Sequence, residues 1–144
     1  DGCLTDGGMY YSEYGDEMKK FSTQDGLGLR LLREKGIICG IITGENTDLV
    51  QRRAEKLNLD ILEMGVKDKL TAVRKICADR NIALDEVAYV GDDINDLELL
   101  RAVGFSASVP NAIHTVKEAV DYVTERAGGS GAVREVIEYI RTMV

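Results

Sequence analysis

The run Gly91-Asp92-Asp93-Ile94-Asn95-Asp96 sets three carboxylates within five positions, directly after the apolar stretch 87–90. Carboxylates this close repel one another unless a cation neutralises them, and hard oxygen donors with no Cys or His among them suit Mg2+. The same residues also suit an acidic helix start, where capping and the dipole favour Asp, and Asp96 can be a cap or a supporting group. Thr43-Gly44 closes a second apolar stretch, 37–42. A hydroxyl there, with the free N–H groups of a following helix, can hold a phosphate, or the Thr can simply end a strand. Lys69 stands near the start of a helical stretch, where a cation is slightly unfavourable against the dipole; it is either solvated or there to neutralise phosphate. The single histidine, His114, argues against a His-based metal site or a Ser-His-Asp triad. Chemistry therefore falls to carboxylates, Lys, Thr and backbone.

The elements that must position these residues alternate along the chain. A β-hairpin is expected over about 8–21, from two β-capable runs around Tyr14-Gly15-Asp16. A helix capped by Asp25 and stopped by Gly36 follows. The run 37–42 reads as a parallel strand buried on both faces. Helices are expected over 47–57, 67–80, 94–103 and 113–119, and strands over 60–64, 87–90, 105–109 and 122–123. A tail over about 127–144 carries Gly128-Gly129-Ser130-Gly131 and a last helix. This order implies an α/β fold: one domain over 1–144 with a Rossmann-like parallel sheet, helices on both faces and a hairpin insertion. Ligands in such sheets sit at the carboxyl ends of the strands. Thr43-Gly44 and Asp92-Asp93 fall there, and so would Asp1-Gly2 after a strand preceding residue 1.

A net charge of −7 argues against nucleic acid or an anionic membrane surface as partner, though not against a small anion met by local donors. No apolar run is long enough to span a bilayer. Cys3, Cys39 and Cys77 are odd in number and form no C-x-x-C pair, so free thiols and a cytoplasmic setting are expected.

Taken in order, Asp1-Gly2-Cys3-Leu4-Thr5-Asp6-Gly7, Thr43-Gly44, Lys69 and Gly91-Asp92-Asp93-x-x-Asp96 resemble the four motifs of the haloacid dehalogenase (HAD) superfamily. The first motif of that family carries two aspartates, and Asp1 matches the second. The resemblance implies a phosphatase whose nucleophilic aspartate lies two residues before Asp1, on a central strand also expected ahead of the sequence. It implies Asp1 as general acid and base, with its carbonyl on Mg2+. Asp92 becomes the direct metal ligand with Asp93 in support, and Thr43, Lys69 and the backbone at Gly2 hold the phosphoryl oxygens.

There is no room for a cap domain between these motifs, and a capless member with this hairpin resembles the 3-deoxy-D-manno-octulosonate (KDO) 8-phosphate phosphatases and their sialic-acid-type relatives. That branch implies a homotetramer built through the hairpins, with exposed Tyr10, Tyr11, Tyr14 and Phe21. It also implies a neighbour's Gly128-Gly129-Ser130-Gly131-Ala132-Val133-Arg134-Glu135 segment closing the site. Gly44 and Arg134 join the expected substrate contacts. Glu45, Arg53 and Lys56 look more like the nonulosonate 9-phosphate phosphatases: the two cations, a helical turn apart, would take a sugar carboxylate and Glu45 its hydroxyls. A nine-carbon substrate is favoured, with KDO 8-phosphate as the alternative. Another is an HAD-like domain at the C-terminus of a CMP-sialic acid synthetase, serving assembly more than catalysis; a binding module without activity is the last.

Overall fold

A computed structural model describes residues 1–144, except for the side chains of Asp16 and Glu17. The hairpin forms as expected: β1 (Tyr10–Ser12) pairs antiparallel with β2 (Gly15–Met18), and Gly15 supplies a φ of +113° at the turn. Its base is closed by a bridge between Thr5 and Phe21.

Helix α1 (Thr23–Glu34) is capped by Ser22, whose hydroxyl accepts from the Gln24 N–H, and not by Asp25. Asp25 lies inside the first turn and is wholly buried. Its Oδ1 accepts from the Arg134 N–H, 2.7 Å away, in the first turn of α6 (Ala132–Arg141). Glycine starts α6 and brings no side-chain cap of its own, so an acid from another helix meets that unsatisfied donor. The two helices pack closely because α1 carries Gly28 at the crossing, where a Cβ would come within 2.9 Å of Ile137 Cδ1. Leu29, Leu32, Cys39, Val133 and Ile137 form the core beneath them.

The strand expected over 37–42 is shorter. Gly36 ends α1 in a left-handed conformation and the Ile37 N–H is spent on Leu32. Cys39 N donates to the Asp60 carboxylate, so ladder pairing begins only at β3 (Gly40–Ile42), and Ile38 stays 39% exposed. Strand β3 runs parallel to β4 (Ile61–Glu63) through α2 (Asp48–Lys56). Helix α3 (Lys69–Arg80) leads to β5 (Ala88–Val90). Helix α4 (Leu97–Ala102), preceded by a 3-10 turn over Ile94–Asp96, then leads to β6 (Phe105–Ser108), and α5 (His114–Glu118) to β7 (Tyr122–Val123). Strands β5, β6 and β7 are parallel in that order.

The α/β architecture therefore holds, with the sheet in two parts. Strands β3 and β5 share no backbone ladder among the described residues. Side chains join the halves: Ile42 and Tyr89 both pack on the cluster of Val73, Cys77 and Leu99. Cys3 packs against the α1–α6 cluster and also against the cluster of Leu100, Val109, Val116 and Ala132. The first residues of the chain thus sit between the halves. Among the described residues no helix is long and apolar enough to cross a membrane.

Candidate active site

The carboxyl ends of β3 and β5 and the N-terminal loop carry the motif residues. After β5, Gly91 is required by space, since a Cβ there would stand 2.6 Å from Asp96 Cβ. That close fit lets Asp96, 2% exposed, turn back under the loop. Its Oδ2 accepts from the backbone N–H groups of Asp92 (3.0 Å) and Asp93 (3.2 Å). Its Oδ1 accepts from Lys69 Nζ and from the Tyr89 hydroxyl, both at 2.7 Å. Burial alone would raise this acid, but the hydrogen bonds from Lys69 and Tyr89 win and hold it below the usual carboxylate range. Asp96 is thus the organiser of the loop and the anchor of Lys69, a buried lysine at the first position of α3.

Asp92 and Asp93, adjacent in sequence, differ. Asp93 is exposed and its Oδ1 accepts from the Ile94 N–H at 2.7 Å, capping the 3-10 turn. The Asp92 carboxylate accepts no hydrogen bond among the described residues. Burial first, and the Asp96 charge second, push its acid up to about 6. An ionisable oxygen pair so placed is a group in need of a cation. It rests on Gly2, where a Cβ would fall 1.8 Å from Asp92 Oδ2 and where φ is +78°. Only glycine fits after Asp1, which gives the Asp-Gly pair a steric reason.

The loop bearing Asp1 and Gly2 is tightly held. Thr5 is buried, and its hydroxyl accepts from the N–H groups of Gly2 and Gly7 while donating to Asp1 Oδ1 at 3.2 Å. Asn111 donates its amide to Gly2 O at 2.9 Å and accepts from the Gly128 N–H at 2.8 Å. Lys19 Nζ reaches both oxygens of Asp1, at 2.9 and 3.0 Å. The Cys3 thiol, pushed up by burial and then by Asp92, stays neutral and is no nucleophile. Just past the end of β3, Thr43 is buried; its Oγ1 accepts from the Glu45 N–H at 3.0 Å, leaving the hydroxyl proton to donate. Gly44 and Glu45 follow in the same loop, tied to Gly65 through the Glu45 carbonyl.

The remaining expected contacts lie elsewhere. Arg53 and Lys56 sit in the last turns of α2, about 8–12 Å along the helix axis from Asp48, its first residue after the Thr43-Gly44 loop, at 1.5 Å per residue. Arg53 donates to Ser22 O at 3.0 Å and covers the Phe21 ring at 5.2 Å, so Phe21 belongs to this packing and not to an exposed aromatic set. Lys56 is exposed. Arg134 pairs with Glu138 and donates to Gln24 O, on the α1–α6 seam. The Gly128-Gly129 segment packs on its own chain: a Cβ at Gly128 would stand 1.9 Å from Gly2 O, and Gly129 N–H donates to Cys3 O.

Lys19, Tyr89 and Asn111 are the site residues that motif reading passes over, and Thr5 lies within the first motif without a role assigned to it. Asn111 had a weaker signal, standing three residues past the end of β6, whereas Thr43 directly follows β3. Lys19 had none, because nothing in a hairpin's alternation marks which lysine turns inward.

The chain belongs to the haloacid dehalogenase-like hydrolase family, whose model matches residues 47–137. It is 39% identical over 140 residues to the 3-deoxy-D-manno-octulosonate 8-phosphate phosphatase of Yersinia pestis, covering 97% of this chain and 75% of that protein. A crystal structure of the Moraxella catarrhalis phosphatase of the same name, in complex with magnesium, phosphate and KDO, superposes with a TM-score of 0.95. That match has 45% identity and covers 99% of this chain and 82% of the other. The cobalt-bound Haemophilus influenzae counterpart gives a TM-score of 0.94 at 34% identity, covering 99% and 83%. The expected fold, family and hydrolase class are thereby shown.

Proposed function

We propose that this chain is a Mg2+-dependent phosphatase of a keto-deoxy sugar acid, with 3-deoxy-D-manno-octulosonate 8-phosphate as its substrate. One observation carries the chemistry: Asp1-Gly2 lies against an Asp92 carboxylate that no donor among the described residues satisfies, with Lys69 fixed behind it by Asp96. Phosphatases of that substrate match 97% and 99% of this chain, and this supports the eight-carbon acid over the nine-carbon one. Arg53, central to the nine-carbon expectation, spends one Nη2 donor on Ser22 O and lies over the Phe21 ring.

In this reading the attacking carboxylate belongs to an aspartate two positions ahead of Asp1. Asp1 protonates the leaving sugar oxygen and later takes a proton from the water that hydrolyses the aspartyl-phosphate. Thr43, the backbone at Gly2 and Gly44, and Lys69 hold the phosphoryl oxygens. The donor set fits a hard cation: the Asp92 carboxylate and the Asp1 carbonyl would hold Mg2+, with Asp93 beside them. Mg2+ is ordinarily held through one or two carboxylates and keeps several waters, so this small set of protein donors suffices. When bound, the ion would neutralise charge on the phosphoryl group. Tyr11 and Tyr14, 67% and 87% exposed, make the hairpin a surface for a second copy, in keeping with a homotetramer.

The test is phosphate release by the intact protein from octulosonate 8-phosphate, nonulosonate 9-phosphates and simple alkyl phosphates, with and without Mg2+. Faster turnover of the eight-carbon ester, lost with EDTA, is expected. Preference for a nine-carbon ester would move the substrate, and release from no ester would favour the assembly role. A monomer by light scattering would remove the shared hairpin.

A further inference from the structure

The hairpin carries Lys19 into the site from just beyond β2. Its side chain is 2% exposed, and its ammonium contacts both oxygens of Asp1, which itself remains 30% exposed to the crevice. A lysine rarely surrenders that much hydration for a surface ion pair, and both partners are immobilised here. The contacts are unequal. Asp1 Oδ1 has two donors, Lys19 and the Thr5 hydroxyl, whereas Oδ2 has Lys19 alone. Thr5 is itself fixed by the Gly2 and Gly7 N–H groups, so the plane of the Asp1 carboxyl is set from two sides.

We propose that Lys19 is a positioning residue for Asp1, aiming Oδ2 at the leaving oxygen of the substrate. This rests on Asp1 being the acid and base of the proposed phosphatase. The proton on Oδ2 passes to the leaving alkoxide oxygen as its bond to phosphorus breaks, giving the free alcohol. The phosphoryl group passes to the attacking carboxylate, and Asp1 is left ionised to take a proton from water in the second step. Lys19 neither gains nor loses a proton. The hairpin thereby serves its own chain's chemistry, whatever its outer face binds.

A leaving-group comparison separates this role from a structural one. An alkyl phosphate needs its leaving oxygen protonated, whereas p-nitrophenolate leaves well without help. In the intact protein, Lys19→Met should lower kcat/KM, which reads only the steps up to departure of the leaving group and not the shared hydrolysis step, roughly 10–100-fold on octulosonate 8-phosphate and by less than about threefold on p-nitrophenyl phosphate. Lys19→Arg should restore part of the sugar-phosphate rate. Equal losses on both esters would overturn the proposal, as would no loss on either. If Lys19→Met does not fold, the ratio of the two rates in Lys19→Arg decides: a ratio unchanged from wild type refutes the role. A wild-type protein inactive on both esters would instead refute the phosphatase reading.

Discussion

Asp25 and Asp96 are both buried, at 0% and 2% exposure, and both stand near a helix start. Their surroundings set them apart. Asp96 has two amides, a hydroxyl and an ammonium on its two oxygens, and its acid is held low. Asp25 has one amide on Oδ1, and its Oδ2 is buried with no partner. Arg53, Arg126 and Arg134 lie near it and favour its charge, yet burial outweighs them and the amide together, and its acid is raised. Their side-chain hydrogen bonds go elsewhere, Arg53 to the Ser22 carbonyl, Arg134 to Glu138 and the Gln24 carbonyl, and Arg126 to the Gln24 side chain. The lesson is that a nearby positive charge is not equivalent to a hydrogen bond. Asp96 organises a site; Asp25 ties two helices.

The sharpest way to break this contrast is Asp96→Ala. It strands buried Lys69 and frees the Asp92 loop, so a stability loss of about 3–5 kcal/mol is expected by denaturant titration. In whatever folds, the phosphatase rate should fall by at least about 10²-fold, as for loss of an oriented charge-stabilising donor. Asp25→Ala should cost about 1–3 kcal/mol through the uncapped α6, while the rate per folded molecule stays within about twofold. A comparable rate loss there would erase the division between site and scaffold.

Asp92→Asn tests the carboxylate that accepts no hydrogen bond among the described residues. Its acid is raised, so ionising it costs folding free energy once pH exceeds the unfolded value of 3.8. Full linkage would give about 3 kcal/mol at pH 7, and solvent screening of this half-exposed carboxylate reduces it, so the metal-free variant should be more stable than wild type by about 1 kcal/mol, with activity abolished. Unchanged stability would mean that the charge is already compensated.

The smallest effect is in the pH dependence of two Asn variants. Asp25 is raised, so Asp25→Asn should gain on wild type as pH climbs above 3.8. Asp96 is lowered, so its contribution is present above 3.8 and fades on acidification through its folded value; Asp96→Asn should therefore approach wild type in acid. Parallel pH profiles for both variants would collapse the comparison.

Much of this was legible beforehand. Apolar runs of strand length, with helical stripes between them, give the element order, because periodicity is a local property. The rule that polar residues at strand ends line the crevice points to the Asp-Gly pair, Thr43 and Asp92-Asp93, whereas Lys69, at a helix start, is picked out only by the resemblance of the motif series. Boundaries were less legible: 37–39 looked like strand but bonds to α1 and Asp60. Local turn chemistry also misled at Asp25, since Ser22 stood three residues earlier with the same capping ability.

From linear order come the family, the α/β layout and the identity of the chemical groups, because chain-local patterns and motif spacing encode all three. Packing alone assigns partners: Asp25 to an amide 109 residues away, Lys19 to Asp1, Arg134 to the α1–α6 seam, and Asp92 rather than Asp93 to the role of unsatisfied acid. Such pairings depend on which side chains the tertiary fold deprives of water, and no spacing along the chain records that.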